Sequence, residues 1–116
     1  MLFICYPPCS TCKKALKWLD DHSIAYEFRD MKTDKPTREE LVTWHTRSAL
    51  PLKRFFNTSG QLYRANDLAA RLPGMSDDEQ LDLLSSDGMM VKRPILIGDD
   101  FVQVGFREKE WAERLG

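Results

Sequence analysis

The chain has 116 residues, with 17 basic and 18 acidic side chains and a formal net charge of −1. A domain of this length buries roughly two thirds of its unfolded surface without staples, and near-neutral charge disfavours gripping nucleic acid through its phosphates. No apolar run approaches the roughly 20 residues that span a bilayer. The N-terminus has neither the basic segment nor the long apolar run of a signal peptide, so we expect a cytoplasmic protein without membrane contact. In that compartment thiols stay reduced, and an exposed pair is catalytic or sensory rather than structural.

In chain order, Leu2-Phe3-Ile4-Cys5 reads as a buried parallel strand, with Cys5 a small buried hydrophobe inside it. Pro7 and Pro8 end the strand and lead to Cys9-Ser10-Thr11-Cys12 at the start of a helix reaching about His22, with Ala15, Trp18 and Leu19 on its apolar face. Two thiols separated by two residues can close a disulfide within one turn. A cysteine at the helix start also feels unpaired N–H groups and the positive end of the dipole, which favour thiolate. Strand, Cys-x-x-Cys and helix together predict thioredoxin-like redox chemistry. The alternatives are two inert core thiols or a zinc half-site. Zinc would need four ligands, and His22 and His45 supply no second pair at finger-like spacing, so no metal is expected.

Ile24, Tyr26 and Phe28 alternate with Ala25, Glu27 and Arg29, which predicts a second strand and closes a βαβ unit. The middle is helical. Thr37 and Glu40 form a capping-box pattern ahead of Leu41 and Trp44, and that helix ends at Ala49-Leu50 before Pro51. A turn at 55–60 precedes a helix around 61–72, which Pro73-Gly74 stop; Ser76 and Glu79 cap a further helix that stops at Gly88. Ile95-Leu96-Ile97 and Phe101-Val102-Gln103-Val104 flank Gly98-Asp99-Asp100 as a hairpin with a three-residue loop. A short helix with Trp111, Ala112 and Leu115 closes the chain.

The expected fold is α/β: a thioredoxin-like mixed four-stranded sheet, made of a βαβ unit and a later ββ hairpin, with an inserted helical subdomain. One domain spans 1–116, its core about 1–35 and 89–116 and its insertion about 36–88. In such a fold the proline opposite the active cysteine is cis, which points to Pro94 and hangs Arg93 beside Cys9. A fixed cation there supports a thiolate and can clamp an oxyanion; the alternative is a solvated arginine at a strand edge. Lys13 and Lys14 oppose the helix dipole in the first turn, and either lower the Cys9 pKa or simply face solvent. Lys53, Arg54, Arg64 and Arg107 are further basic candidates. Trp18, Trp44 and Trp111 read as core.

These residues resemble the arsenate reductase-like family, which includes the Spx regulators. The likeness runs from Cys5-Tyr6-Pro7-Pro8-Cys9-Ser10-Thr11-Cys12-Lys13-Lys14-Ala15 through Phe56-Asn57-Thr58-Ser59-Gly60-Gln61-Leu62-Tyr63-Arg64 and Lys92-Arg93-Pro94-Ile95 to Gln103-Val104-Gly105-Phe106. It implies Cys9 as nucleophile, no bound cofactor, and glutathione or a glutaredoxin or thioredoxin as reductant. Arsenate reductases of this family hold the oxyanion with three arginines. Arg93 matches one, Lys53 stands at the second and Phe106 at the third, with Arg107 one residue on; the activating histidine falls on Cys5. Cys12 adds an internal resolving thiol. Lys53, Pro94 and Arg107 are thus the expected substrate-binding residues, for a small oxyanion or a thiol/disulfide substrate. Spx-type regulators share the Cys-x-x-Cys switch and bind the RNA polymerase α subunit through a surface with a glycine where Pro51 stands here. The expected function is a thiol–disulfide oxidoreductase, with a redox-sensing regulator as the alternative and a binding module without turnover as a third reading.

Overall fold

The computed structural model describes residues 1–115. Four strands, β1 (Leu2–Cys5), β2 (Glu27–Asp30), β3 (Ile95–Ile97) and β4 (Val102–Val104), form one mixed sheet in the order β2-β1-β3-β4. β1 runs parallel to β2 and antiparallel to β3, and β3 pairs antiparallel with β4. Six α-helices, α1 (Ser10–Asp21), α2 (Arg38–Ser48), α3 (Gln61–Ala65), α4 (Leu68–Arg71), α5 (Asp77–Ser86) and α6 (Glu108–Leu115), and three short 3-10 helices at Leu52–Phe55, Leu72–Gly74 and Gly88–Met90 complete the described chain. No helix among the described residues is long and apolar enough to cross a membrane.

Side-chain alternation along β1 explains the layering, because successive residues of a strand point to opposite faces. Phe3 and Cys5 face α1 and α6, where they join Cys12, Ala15, Trp18, Leu19 and Trp111. Ile4 faces the other way, into a second cluster with Ile95, Ile97, Val104 and the insertion residues Leu41, Phe55, Leu68 and Leu84. Both faces of the central strands are therefore covered, which is why β1 and β3 read as unbroken apolar runs.

Both predicted capping boxes close. The Thr37 hydroxyl accepts from the Glu40 N–H at 3.1 Å and the Ser76 hydroxyl from the Glu79 N–H at 3.1 Å; each glutamate reaches back to its cap N–H. Three local expectations differ. The second strand starts at Glu27 rather than Ile24, because Ile24 N–H still bonds Leu19 O at the end of α1 and the parallel register with β1 begins at Leu2 opposite Glu27. The helix expected at 61–72 breaks at Asn66-Asp67: the Asn66 amide bonds Leu62 O at 2.8 Å and Asp67 takes left-handed backbone at φ 51°. Asn and Asp tolerate such local competition with the helix. The hairpin loop is one residue longer than expected, because Phe101 leaves the strand and buries its ring against Gly98, where no Cβ would fit.

Arg29 ties β2 to α2 through a bidentate pair with Glu40, at 2.6 and 2.8 Å, and also donates to the carbonyls of Asp34 and Lys35. The Arg29 guanidinium holds the Glu40 carboxyl down to about 2; partial burial opposes this and the Thr37 N–H reinforces it. A depressed carboxyl contributes stability that is fully present above its unfolded pKa, near 4.3, and lost as pH falls through about 2. The Glu40 side chain is 33 % exposed, so solvent screening reduces the contribution to about 1–2 kcal/mol. Glu40→Gln is expected to lower Tm at pH 7 by roughly 4–8 °C. The gap between variant and parent should close as thermal scans move to pH 2.

Candidate active site

Cys9 is the N-cap residue of α1, with extended backbone (φ −71°, ψ 127°) and a half-buried side chain. Its own N–H bonds Tyr6 O at 2.9 Å, which folds the Pro7-Pro8 segment into a turn delivering the thiol to the helix start. Burial pushes the Cys9 thiol up. The Cys12 N–H, the Arg93 guanidinium and the Thr11 N–H together outweigh it, leaving the thiol below its ordinary value. Lys13 and Lys14 are exposed, and the groups that favour the thiolate are the amides and Arg93.

Arg93 immediately precedes Pro94 across a cis peptide bond at the entrance to β3. Its guanidinium lies 5.0 Å from the Tyr6 ring centroid, and Nη1 donates to Met89 Sδ at 3.7 Å. Among the described residues no carboxylate pairs with it, so its charge is directed at Cys9. Pro94 is buried, and its carbonyl accepts from Gly105 N–H at 2.8 Å.

Four other cations gather elsewhere, and Arg64 is not among them. A cleft of about 610 Å³ opens at Thr11, two residues from Cys9, and is lined by Lys53, Arg54, Lys92 and Arg107 with no carboxylate. Lys53 and Arg107 thus share one cavity, while Arg93 lines a different one with Asn57, Gly60, Asp87 and Met89. Lys92 is the member that sequence reasoning did not single out: it is delivered by the bond from its N–H to Phe55 O at 2.7 Å, a long-range contact no local motif announces.

Cys12 lies one turn into α1 and is fully buried. Its sulfur is joined to that of Cys5, with the Cα atoms 5.8 Å apart, and accepts from Tyr6 N–H at 3.3 Å. The expected partnership of Cys9 with Cys12 is therefore not the pairing seen; Cys9 is the free thiol. Cys5 is buried as expected, yet it is more than a small hydrophobe. The end of β1 and the first turn of α1 pack against each other and bring positions 5 and 12 together. No motif within either element signals this contact, since Cys5 belongs to a strand and Cys12 to the helix that follows.

The sheet and its helices make a thioredoxin-like α/β fold, with Cys9 at a helix N-terminus and Arg93 beside it. The family model that matches is the ArsC family, over residues 5–114. The chain belongs to this family. It is 45 % identical over 113 residues to YusI of Bacillus subtilis, covering 97 % of this chain and 96 % of that one. It is 28 % identical over 110 residues to the regulatory protein MgsR of the same organism, covering 95 % and 86 %. Among solved structures, an ArsC-family-related protein from Bacteroides fragilis superposes with a TM-score of 0.94 at 48 % identity, covering 97 % of this chain and 94 % of that chain.

Removing the Arg93 charge is expected to affect reactivity more than stability. The stacking on Tyr6 is worth about 0.5–1 kcal/mol, so Arg93→Ala should lower Tm by less than about 4 °C. The Cys9 titration should move up, because a cause of the lowered pKa is gone. Iodoacetamide alkylation rates measured from pH 5 to 9 check this; an unaltered profile with a large stability loss would make Arg93 a structural residue.

Proposed function

We propose that this protein is a thiol–disulfide oxidoreductase of the arsenate reductase-like type, with Cys9 as nucleophile, Cys12 as resolving thiol and Arg93 supporting the thiolate and the bound anion. The observation that carries this reading is the Cys9 thiol itself: accessible, at a helix N-terminus, beside an arginine with no carboxylate partner among the described residues, and lowered in pKa. A thiolate at neutral pH attacks a disulfide sulfur, and the mixed disulfide is then discharged by a second protein thiol. Lys53 and Arg107 attract the anionic part of the substrate, and glutathione or a glutaredoxin or thioredoxin returns the electrons. Disulfides are preferred over arsenate, because Lys53 offers a point charge where a bidentate fork would orient an oxyanion, and Lys53 and Arg107 stand in a different cavity from Arg93. A misplacement of about 1 Å costs roughly a hundredfold in rate.

The test is a side-by-side assay with glutathione and glutaredoxin, offering either arsenate or a small disulfide. Disulfide turnover that exceeds arsenate turnover supports the reading. Efficient arsenate turnover that survives Cys12→Ser would make the protein an arsenate reductase instead. A second reading, a redox-sensing regulator acting on the RNA polymerase α subunit, is favoured by the 28 % identity to MgsR over 95 % of the chain. Pro51, exposed beside Lys53, weighs against it, since proline lacks the backbone freedom of the regulators' glycine. Retention of the α subunit on the immobilised oxidised protein, with no turnover in the assay, would decide for the regulator.

A further inference from the structure

Three cysteines lie on one end of the sheet, and only one of them is open to solvent. Cys5 and Cys12 are both 0 % exposed, sealed beneath β1 and α1 with Phe3, Ala15, Leu96 and Trp111. Cys9 is half-buried and free. Cys12 stands between the other two in the fold: its sulfur is joined to Cys5, and its backbone N–H bonds the Cys9 sulfur three residues earlier in the chain. An external thiol or disulfide reaches Cys9 but neither member of the buried pair.

We infer that Cys5 is the terminal electron donor of a three-thiol relay in which Cys9 is the gate, Cys12 the shuttle, and the buried Cys5–Cys12 disulfide the resting oxidised state. This rests on the thiol–disulfide reading above and extends it by one residue and one step. The Cys9 thiolate attacks a substrate disulfide RS–SR, forming Cys9–S–S–R and releasing RS⁻. The Cys12 thiolate attacks the Cys9 sulfur, forming Cys9–Cys12 and releasing the second RS⁻. The Cys5 thiolate then attacks the Cys12 sulfur, forming Cys5–Cys12 and expelling Cys9 as thiolate. The two released RS⁻ take up the protons that Cys5 and Cys12 gave up. The net change is one disulfide reduced to two thiols and one dithiol, Cys5 plus Cys12, oxidised to a disulfide, a transfer of two electrons.

The direction of the last step follows from leaving-group chemistry. Of the two sulfurs bonded to Cys12, the better leaving group is the thiol of lower pKa. Cys9 faces the Arg93 guanidinium and the helix amides, whereas the Cys5 sulfur is fully buried against the Tyr6 carbonyl, so the negative charge is better placed on departing Cys9. The outcome is a gate cysteine returned to its reactive form while the oxidation is held where no solvent thiol can reach it. Re-reduction runs backwards: Cys9 thiolate attacks Cys12, Cys5 leaves, and an external dithiol reduces the exposed Cys9–Cys12 bond while becoming a disulfide itself.

Disulfide mapping decides between the relay and a two-cysteine cycle. Fully reduced full-length protein is treated with one equivalent of glutathione disulfide, quenched in acid, alkylated and mapped by mass spectrometry. The relay predicts loss of alkylation at Cys5 and Cys12 with Cys9 still labelled. Cys5→Ala, which keeps a small buried apolar side chain, should instead stop at Cys9–Cys12 and lose labelling at Cys9; its circular dichroism reports whether it folds, and the result on the unmutated chain stands without it. Wild-type protein that ends as Cys9–Cys12, with Cys5 alkylated and turnover intact, overturns the relay and leaves the oxidoreductase reading standing. No glutathione adduct or disulfide at Cys9 or Cys12 at any time point overturns both.

Discussion

Cys9→Ser is expected to lose disulfide-reductase turnover by on the order of a thousandfold or more, while the fold becomes slightly more stable. A serine hydroxyl stays protonated at neutral pH, so it can neither attack a disulfide nor form a mixed disulfide, and loss of a covalent nucleophile costs several orders of magnitude. The stability change has the opposite sign for a local reason. Cys9 is the N-cap of α1; the Thr11 and Cys12 N–H groups face its sulfur without closing a cap of full hydrogen-bond geometry, and a serine oxygen is the stronger acceptor for them. Serine is among the best N-cap residues, worth about 1 kcal/mol over a non-capping side chain. A rise in Tm of a few degrees together with loss of the proposed turnover is therefore the signature of a cysteine placed for chemistry. A variant that turns over normally would remove Cys9 from the mechanism. One that unfolds would show that the thiol has a packing role instead.

Trp111→Ala is expected to be the most destabilising of the single substitutions considered, at about 3–5 kcal/mol. Trp111 is completely buried and packs edge-on against Phe3, Trp18 and Phe106, so truncation opens a cavity where α6, α1 and the sheet meet. Its indole N–H also donates to Gly105 O at 3.2 Å. Gly105 holds φ +78°, which glycine adopts without strain, and its N–H in turn bonds the Pro94 carbonyl at 2.8 Å. Trp111 thus holds Gly105, which lines the basic cleft, and through it the Pro94 carbonyl, from the same face of the sheet that carries α1. Trp111→Phe keeps most of the volume and isolates the second effect: a buried carbonyl left without its donor costs about 1–3 kcal/mol. Chemical denaturation of both variants checks the order. A loss under 1 kcal/mol for Trp111→Ala would mean that α6 is not part of the folding core.

The elements that local chemistry specifies are legible in the residues themselves. Thr37 with Glu40 and Ser76 with Glu79 are complete within four residues, so the starts of α2 and α5 need no distant partner. The apolar run of β1, the Pro7-Pro8 stop and the Cys-x-x-Cys at a helix start are equally local, and they locate the thiol that remains free and reactive. Elements that depend on a partner are less legible. The start of β2 is set by its parallel register against β1, and the alternation of Ile24, Tyr26 and Phe28 carries no information about that register. Phe28 stays 44 % exposed on this edge strand, where alternation alone would have buried it. The break between α3 and α4 hangs on a single left-handed residue, Asp67, inside an otherwise helical pattern.

By itself, then, the sequence determined the βαβ start, the inserted helices, the hairpin near the end, and the position of Cys9 at a helix N-terminus beside a redox-competent motif. Each depends on interactions between residues a few positions apart, whose energies are decided by spacing and residue type. Which sulfur meets which, and which cations share a cavity, only the tertiary structure decided. Cys5 stands at the end of a strand and Cys12 within a helix, and their contact exists because the sheet and α1 bury the same apolar face. Lys53, Lys92 and Arg107 come from three distant segments, and the cleft forms where the insertion closes against the end of the sheet. Such contacts are fixed by packing between elements, which no pattern within one element encodes.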